Sequence, residues 1–332
     1  MNKQLIKSLP LAVFIIAMNT AYAADEELER SDIEQPIIDM VYKEKWNKLD
    51  ELFSQYINGF PATSNGTQKI IVAYGAITGT YANGKDGGEE VADSWLKANP
   101  DSTVAQMLKA LSYGNKAFFL RGEGDINSVD NDVWPRFNKL IQQQKEYLLE
   151  HKNIADKDPM WYQTMIAVGR NQNDHALIMQ MLDEGSRKYP TYQNLYLTAM
   201  EGSLPKWGGD PESVEKIARL AASKTTAQSG NSYYTYIWYN ALSFQPEMMQ
   251  LLANKKVVSW DTMKAGWHDR YKQYPTARIA TEYMSTACVA GDASAFAEGY
   301  SWINNQYGDL VQQVWLPGTG YNECEQYFKS QQ

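Results

Sequence analysis

Apolar residues recur along this chain at three- and four-residue spacings, and turn residues interrupt them at short intervals. Such spacing puts apolar side chains on one face of a helix. Residues 28–40 and 46–57 form a first helical pair by this criterion. Residues 86–98 and 101–120 form a second, with Val104, Met107, Leu108 and Leu111 on one face. Phe137, Leu140, Ile141, Gln144 and Leu148 mark a further helix. Residues 66–81 admit a strand over 70–74 or a helix, and the helix agrees with its neighbours. No convincing set of alternating strands occurs.

From Pro159 the pattern repeats. Asp158-Pro159 supplies cap and first-turn proline for a helix carrying Trp161, Met165 and Val168. Asp174 caps its partner, which bears Leu177, Ile178, Met181 and Leu182 and stops at Lys188-Tyr189-Pro190. The unit from Pro159 to Pro190 is 31 residues, near the roughly 34-residue period of tetratricopeptide repeats. Its junction recurs as Lys97-Ala98-Asn99-Pro100-Asp101, Arg187-Lys188-Tyr189-Pro190-Thr191 and Lys272-Gln273-Tyr274-Pro275-Thr276. A basic last turn suits the negative end of the helix dipole, and proline stops the helix. After Pro275, Ile279, Ala280, Tyr283, Met284, Ala287 and Cys288 share a face. The spacings between units are irregular. The predicted fold is all-α, a TPR-like α-solenoid of irregular antiparallel helix pairs in one domain over residues 24–316, with a tail at 317–332.

Near the middle stands Leu204-Pro205-Lys206-Trp207-Gly208-Gly209-Asp210-Pro211-Glu212, a sharply punctuated corner. Its two prolines bracket an indole expected to be buried between helices, and Gly208 and Gly209 permit backbone angles closed to other residues. Asp210 caps a helix whose first residue is Pro211 and whose core stripe is Val214, Ile217, Ala218 and Ala221.

That corner, with Phe118-Phe119-Leu120-Arg121-Gly122 and Asp158-Pro159-Met160-Trp161-Tyr162, resembles an uncharacterised bacterial family of TPR-like helical proteins. The resemblance covers about residues 111–241. The family usually has Arg where Lys206 stands and often Ser where Asp210 stands. The resemblance implies the fold, with Arg121, Trp161, Trp207, Gly208, Gly209 and Asp210 as structural motif residues. It implies no activity and transfers no catalytic residue.

The first residues change the picture by supplying an address. Lys3 and Lys7 precede an apolar run over 9–18, and Ala21-Tyr22-Ala23 has the small-x-small form of a cleavage site. Residues 1–23 therefore read as a signal peptide, and the mature protein as periplasmic or secreted. No later segment approaches the roughly twenty apolar residues of a membrane span. Loss of the leader moves the formal charge from −8 to −10. An acidic chain without a basic run is ill suited to nucleic acid, where phosphate neutralisation supplies most of the affinity. In an exported chain the two cysteines, Cys288 and Cys324, are expected to form a disulfide that pins the tail over the last helix pair.

Motifs for chemistry are wanting. Gly79 to Asp86 nearly spells a phosphate-binding loop, but Asp86 stands where a hydroxyl is needed. Asp125, Asn127, Asp130 and Asp132 lack the glycine and glutamate of a calcium loop. His151, His175 and His268 show no metal-ligand spacing. No catalytic residue, cofactor or metal is assigned, and Arg121 is expected to pair with a carboxylate. The functional lead is aromatic: Tyr233, Tyr234, Tyr236, Trp238 and Tyr239 cover more than one stripe of a helix. Such a helix is either buried on two sides or presents one side to a ligand. These five residues are the candidate ligand surface. The expected function is a scaffold binding a protein or peptide partner through its concave face. The alternative is a glycan binder or carboxylate-based hydrolase using the aromatic groove.

Overall fold

Caps written in the sequence divide the chain into helices. Asp174 Oδ1 accepts from the Leu177 amide at 2.9 Å, Asp210 Oδ1 from Ser213 at 2.6 Å and Asp292 Oδ1 from Ala295 at 2.9 Å. Each carboxylate satisfies a first-turn amide that has no partner within its helix. A computed structural model describes residues 21–122 and 128–330. The leader expected over 1–23 falls mostly outside the described residues, as do Asp125 and Asn127.

The described residues form α1 (Ala21–Tyr42), α2 (Trp46–Ile57), α3 (Lys69–Tyr81), α4 (Glu89–Ala98), α5 (Thr103–Arg121) and α6 (Val133–Glu150). They continue with α7 (Lys152–Ala155), α8 (Met160–Asn171), α9 (His175–Lys188), α10 (Gln193–Gly202), α11 (Pro211–Ser229) and α12 (Ser232–Phe244). The last are α13 (Met249–Ala253), α14 (Trp260–Gln273), α15 (Ala277–Ala290), α16 (Ala293–Trp302) and α17 (Tyr321–Ser330). No strand occurs among the described residues, only an isolated antiparallel bridge between Ala62 and Gln68. The stretch at 66–81 is thus helical from Lys69 onward.

Neighbouring helices pair: α5 with α6, α8 with α9, α10 with α11, α12 with α14, and α15 with α16. The leading helices of successive pairs also touch, α5 on α8, α8 on α10 and α10 on α12. This is the all-α helical-repeat arrangement expected from the sequence.

The row of leading helices is not an open groove. In α15 every residue from Ile279 to Ala287 is buried, and α12 buries Tyr233, Tyr234, Ile237, Trp238, Tyr239, Ala241 and Leu242. A helix covered on one side alone would keep a polar stripe. The chain's own ends cover the other side. At the N-terminal end, α1 to α3 pack together, and α2 lies on α5. At the C-terminal end, residues 310–316 lie on α15 and α12. Thr281 Oγ1 accepts from the Val311 amide at 3.2 Å, Ser285 Oγ accepts from the Leu316 amide at 2.8 Å, and Tyr239 Oη donates to the Val314 carbonyl at 2.5 Å.

Cys288 and Cys324 pair, with Cα atoms 5.7 Å apart. The tail is better anchored than its sequence promised, because α17 buries Cys324 and Phe328 and sets Phe328 against Phe296 at 5.3 Å. The corner also departs from expectation. Trp207 is half-buried, not enclosed, and its ring lies under the Arg170 guanidinium at 5.4 Å. Pro205 to Trp207 form a single 3₁₀ turn that holds the indole at the rim. Gly209 is required there, since a Cβ would fall 2.0 Å from the Ser203 carbonyl oxygen.

Candidate functional site

Residues 60–69 build a tight hairpin. The Thr63 amide donates to the Thr67 carbonyl at 2.8 Å, Gly66 to Thr63 at 2.9 Å and Lys69 to Pro61 at 2.8 Å. Asn65 Oδ1 accepts from Thr63 Oγ1 at 2.7 Å and from the Thr67 amide at 3.1 Å. Asn-Gly suits such a turn because Gly66 takes φ +86°.

The hairpin docks on the turns that join one helix pair to the next. Gln68 Nε2 donates to the Thr191 carbonyl at 2.7 Å, and its Oε1 accepts from the Gln193 amide at 3.0 Å. Gln193 Nε2 donates back to the Gly66 carbonyl at 2.9 Å. Phe60 packs against Tyr189 and Tyr192, with centroids 6.2 and 5.5 Å away. A Cβ on Gly66 would fall 2.7 Å from the Tyr274 ring. Tyr189, Thr191 and Tyr274 belong to the recurring junction, so two of its three copies, at 187–191 and 272–276, receive the hairpin. From the outside, Glu29 accepts from the Ser64 amide at 2.9 Å and from its hydroxyl at 2.7 Å.

Two buried carboxylates flank the hairpin. On one side Tyr74 Oη donates to Asp158 Oδ2 at 2.6 Å, and Asp158 Oδ1 accepts from the Met160 amide at 2.8 Å. Burial pushes the Asp158 carboxyl up to about 6, against both hydrogen bonds. On the other side Arg278 Nε donates to Glu26 at 2.9 Å, while Arg278 Nη1 lies 3.7 Å from Glu282. Glu282 is 6% exposed, and burial pushes its carboxyl up to about 7 against the attraction of Arg270 and Arg278. Arg270 lies over the Tyr236 ring at 4.3 Å. Glu282 Oε2 and Arg270 Nε are buried without hydrogen-bond partners, a costly arrangement away from water. A cleft of about 270 Å³ remains where the two terminal segments meet, lined in part by Glu26, Glu29, Arg30, Thr63, Arg278 and Gln313.

The five aromatic residues singled out from sequence are not a ligand surface. Tyr233, Tyr234, Trp238 and Tyr239 are buried, and only Tyr236 is partly exposed. Helix α12 sits among α10, α11 and α14, so neighbours take every side of it. Tyr234 Oη and Trp238 Nε1 both donate to Glu215 Oε2, at 2.9 and 2.7 Å. Tyr233 Oη donates to the Thr191 carbonyl at 2.6 Å. Large rings on all sides of one helix were themselves the signal of burial.

Arg121 has no carboxylate within ion-pair distance among the described residues, and donates to the Gly122 carbonyl at 3.0 Å. Trp161 is a core residue whose Nε1 donates to the Leu148 carbonyl at 2.9 Å. The exposed aromatic pair lies elsewhere, at Phe118 and Phe119, beside Asn83, Asn115 and Arg121 around a cleft of about 600 Å³. Among the described residues no three His, Cys, Asp or Glu side chains gather as metal ligands would. Sequence reasoning missed Gln68, Gln193, Arg270, Arg278 and Glu282, and read Asp158 as a helix cap without its bond to Tyr74. The Asn65-Gly66 dipeptide was the available signal for the hairpin.

No family model, curated protein or solved structure matches the chain, so the family resemblance rests on its three motifs alone.

Proposed function

We propose that the chain is an exported helical-repeat scaffold that binds a polypeptide partner along the turns joining its helix pairs. One observation carries this reading. The array holds an irregular piece of its own chain through main-chain groups, with Gln68 and Gln193 reading amides and carbonyls on both sides of the contact. Gln193 reads a main-chain carbonyl of the held segment, while a glutamine side chain of that segment reads the main chain of the array. The edge therefore selects a polypeptide by both, and stacked helix pairs extend it. The leader at 1–23 and the Cys288–Cys324 pair support export to an oxidising compartment. Among the described residues no helix is long and apolar enough to cross a membrane.

A second reading, glycan binding, has one observation in its favour. Phe118 and Phe119 are 41% and 48% exposed beside two asparagines and an arginine, and sugar rings stack on such faces. Pull-down from periplasmic extract separates the two. A stoichiometric protein partner that is lost on Gln193→Ala supports the scaffold. Retention on a glycan matrix, abolished by Phe119→Ala and untouched by Gln193→Ala, would replace it.

A further inference from the structure

We infer that the 60–69 hairpin is an internal stand-in for the partner, and that the site takes from another chain a polar turn of the same build. This rests on reading the inter-pair turns as the binding edge. The occupant fits well but incompletely. Gln193 is 4% exposed, its Nε2 is engaged by the Gly66 carbonyl, and its Oε1 is buried with no partner. A buried acceptor left unpaired costs free energy that a better ligand would recover. The partner segment therefore carries a hydrogen-bond donor, an amide or a hydroxyl, where the hairpin offers none.

The base of the hairpin is also poised to yield. Gly59 and Phe60 stand consecutively at positive φ, +77° and +50°. For phenylalanine that region is strained, whereas for glycine it is free. A Cβ built on Gly59 would meet nothing within 4 Å, so the chain has room to pivot there. Beyond the hairpin, Ile70 and Tyr74 enter the core, so α3 remains in place when the tip leaves. The hairpin itself is held by hydrogen bonds and ring contacts, which another chain can reproduce. The segment recognised has an aromatic at its start, small polar residues through an Asn-Gly tip, and a glutamine at its end. The aromatic meets Tyr189 and Tyr192, the glycine passes under Tyr274, and the glutamine takes the Thr191 carbonyl and the Gln193 amide.

The test uses the full chain and a fluorescent synthetic peptide with the sequence of residues 58–70. Wild type, whose site is filled, is expected to bind the peptide weakly. Gln68→Ala, which releases the hairpin's own anchor, is expected to bind it about tenfold more tightly or better. A peptide with alanine in place of the same glutamine is expected to lose that gain. Should Gln68→Ala fail to fold, Glu29→Gln loosens the hairpin from its exposed side and is read by the same ratio. A folded variant that binds the peptide no better than wild type overturns the inference, as does equal binding of the two peptides. If partner capture still depends on Gln193 in that case, the edge remains the binding site and only the mimicry is lost.

Discussion

Tyr74 and Asp158 stand 84 residues apart in sequence, yet the buried phenol of one donates a 2.6 Å hydrogen bond to the buried carboxylate of the other. The bond fastens α3 to the start of α8, and so ties the N-terminal segment to the repeat array. Tyr74→Phe leaves the carboxylate with one protein donor, the Met160 amide. The expected cost is about 1.5–3 kcal/mol where Asp158 is ionised, and less where it is protonated. Urea unfolding at pH 8 and pH 5 checks this, and an equal loss at both would contradict the assignment.

Stability is expected to fall as pH rises from about 5.5 to 8. Asp158 and Glu282 have folded-state values raised to about 6 and about 7 by burial, above the ~4 of an unfolded chain. The folded protein therefore holds more protons than the unfolded one between these limits. Stability from these two groups is fully present below about 4 and is lost as pH rises through 6 and 7, on the order of 2–3 kcal/mol each. Glu282→Gln should flatten the upper part of this slope, whatever it does to absolute stability. Unfolding midpoints that do not change from pH 5.5 to 8 would refute it.

Gly66→Ala is expected to loosen the hairpin specifically. The new methyl meets the Tyr274 ring at 2.7 Å and must adopt φ +86°, costing about 1–3 kcal/mol. Hydrogen exchange should quicken at Thr63, Gly66 and Thr67, while α8 and α15 stay protected. Uniform acceleration across the chain would mean that the hairpin does not open by itself.

The two motif tryptophans should behave unequally. Trp161→Ala empties a fully enclosed site and breaks the bond to the Leu148 carbonyl, for a loss of about 3–5 kcal/mol. Trp207→Ala removes a half-buried ring stacked under Arg170, for a loss of about 1–2 kcal/mol. Thermal melts of both variants decide this, and equal losses would place Trp207 in the core after all.

Reduction of Cys288–Cys324, separated by 36 positions, should remove about 3–4 kcal/mol on chain-entropy grounds. Thiol labelling of denatured protein, with and without prior reduction, checks the bond. Two reactive thiols in the unreduced sample would refute it.

What the sequence made legible is local. The aspartate caps at 174 and 210 and the helix faces all follow from spacings of a few residues. The return of the chain ends onto the array is of another kind. Glu26 meets Arg278 across 252 positions, and Gln68 meets Thr191 across 123, and no periodicity announces a contact so distant. The aromatic helix shows the cost of that blindness. Tyr234 and Trp238 look like a platform until Glu215, on the preceding helix, is seen to take both of their polar tips. Likewise, Tyr189 and Tyr274 register in sequence as mere helix stops, because their ring partners come from Phe60 and Gly66.

A segment fixed at Asp158 by Tyr74 and at Arg278 by Glu26 has a set length, and that length acts as a ruler on the array. Repeat proteins ordinarily gain or shed units freely, since each unit touches only its neighbours. Here one helix pair more between α8 and α15 would carry Arg278 beyond the reach of α1, and one fewer would leave the hairpin without its edge. The number of pairs in this span is therefore matched to the distance between two anchors that lie outside the repeats.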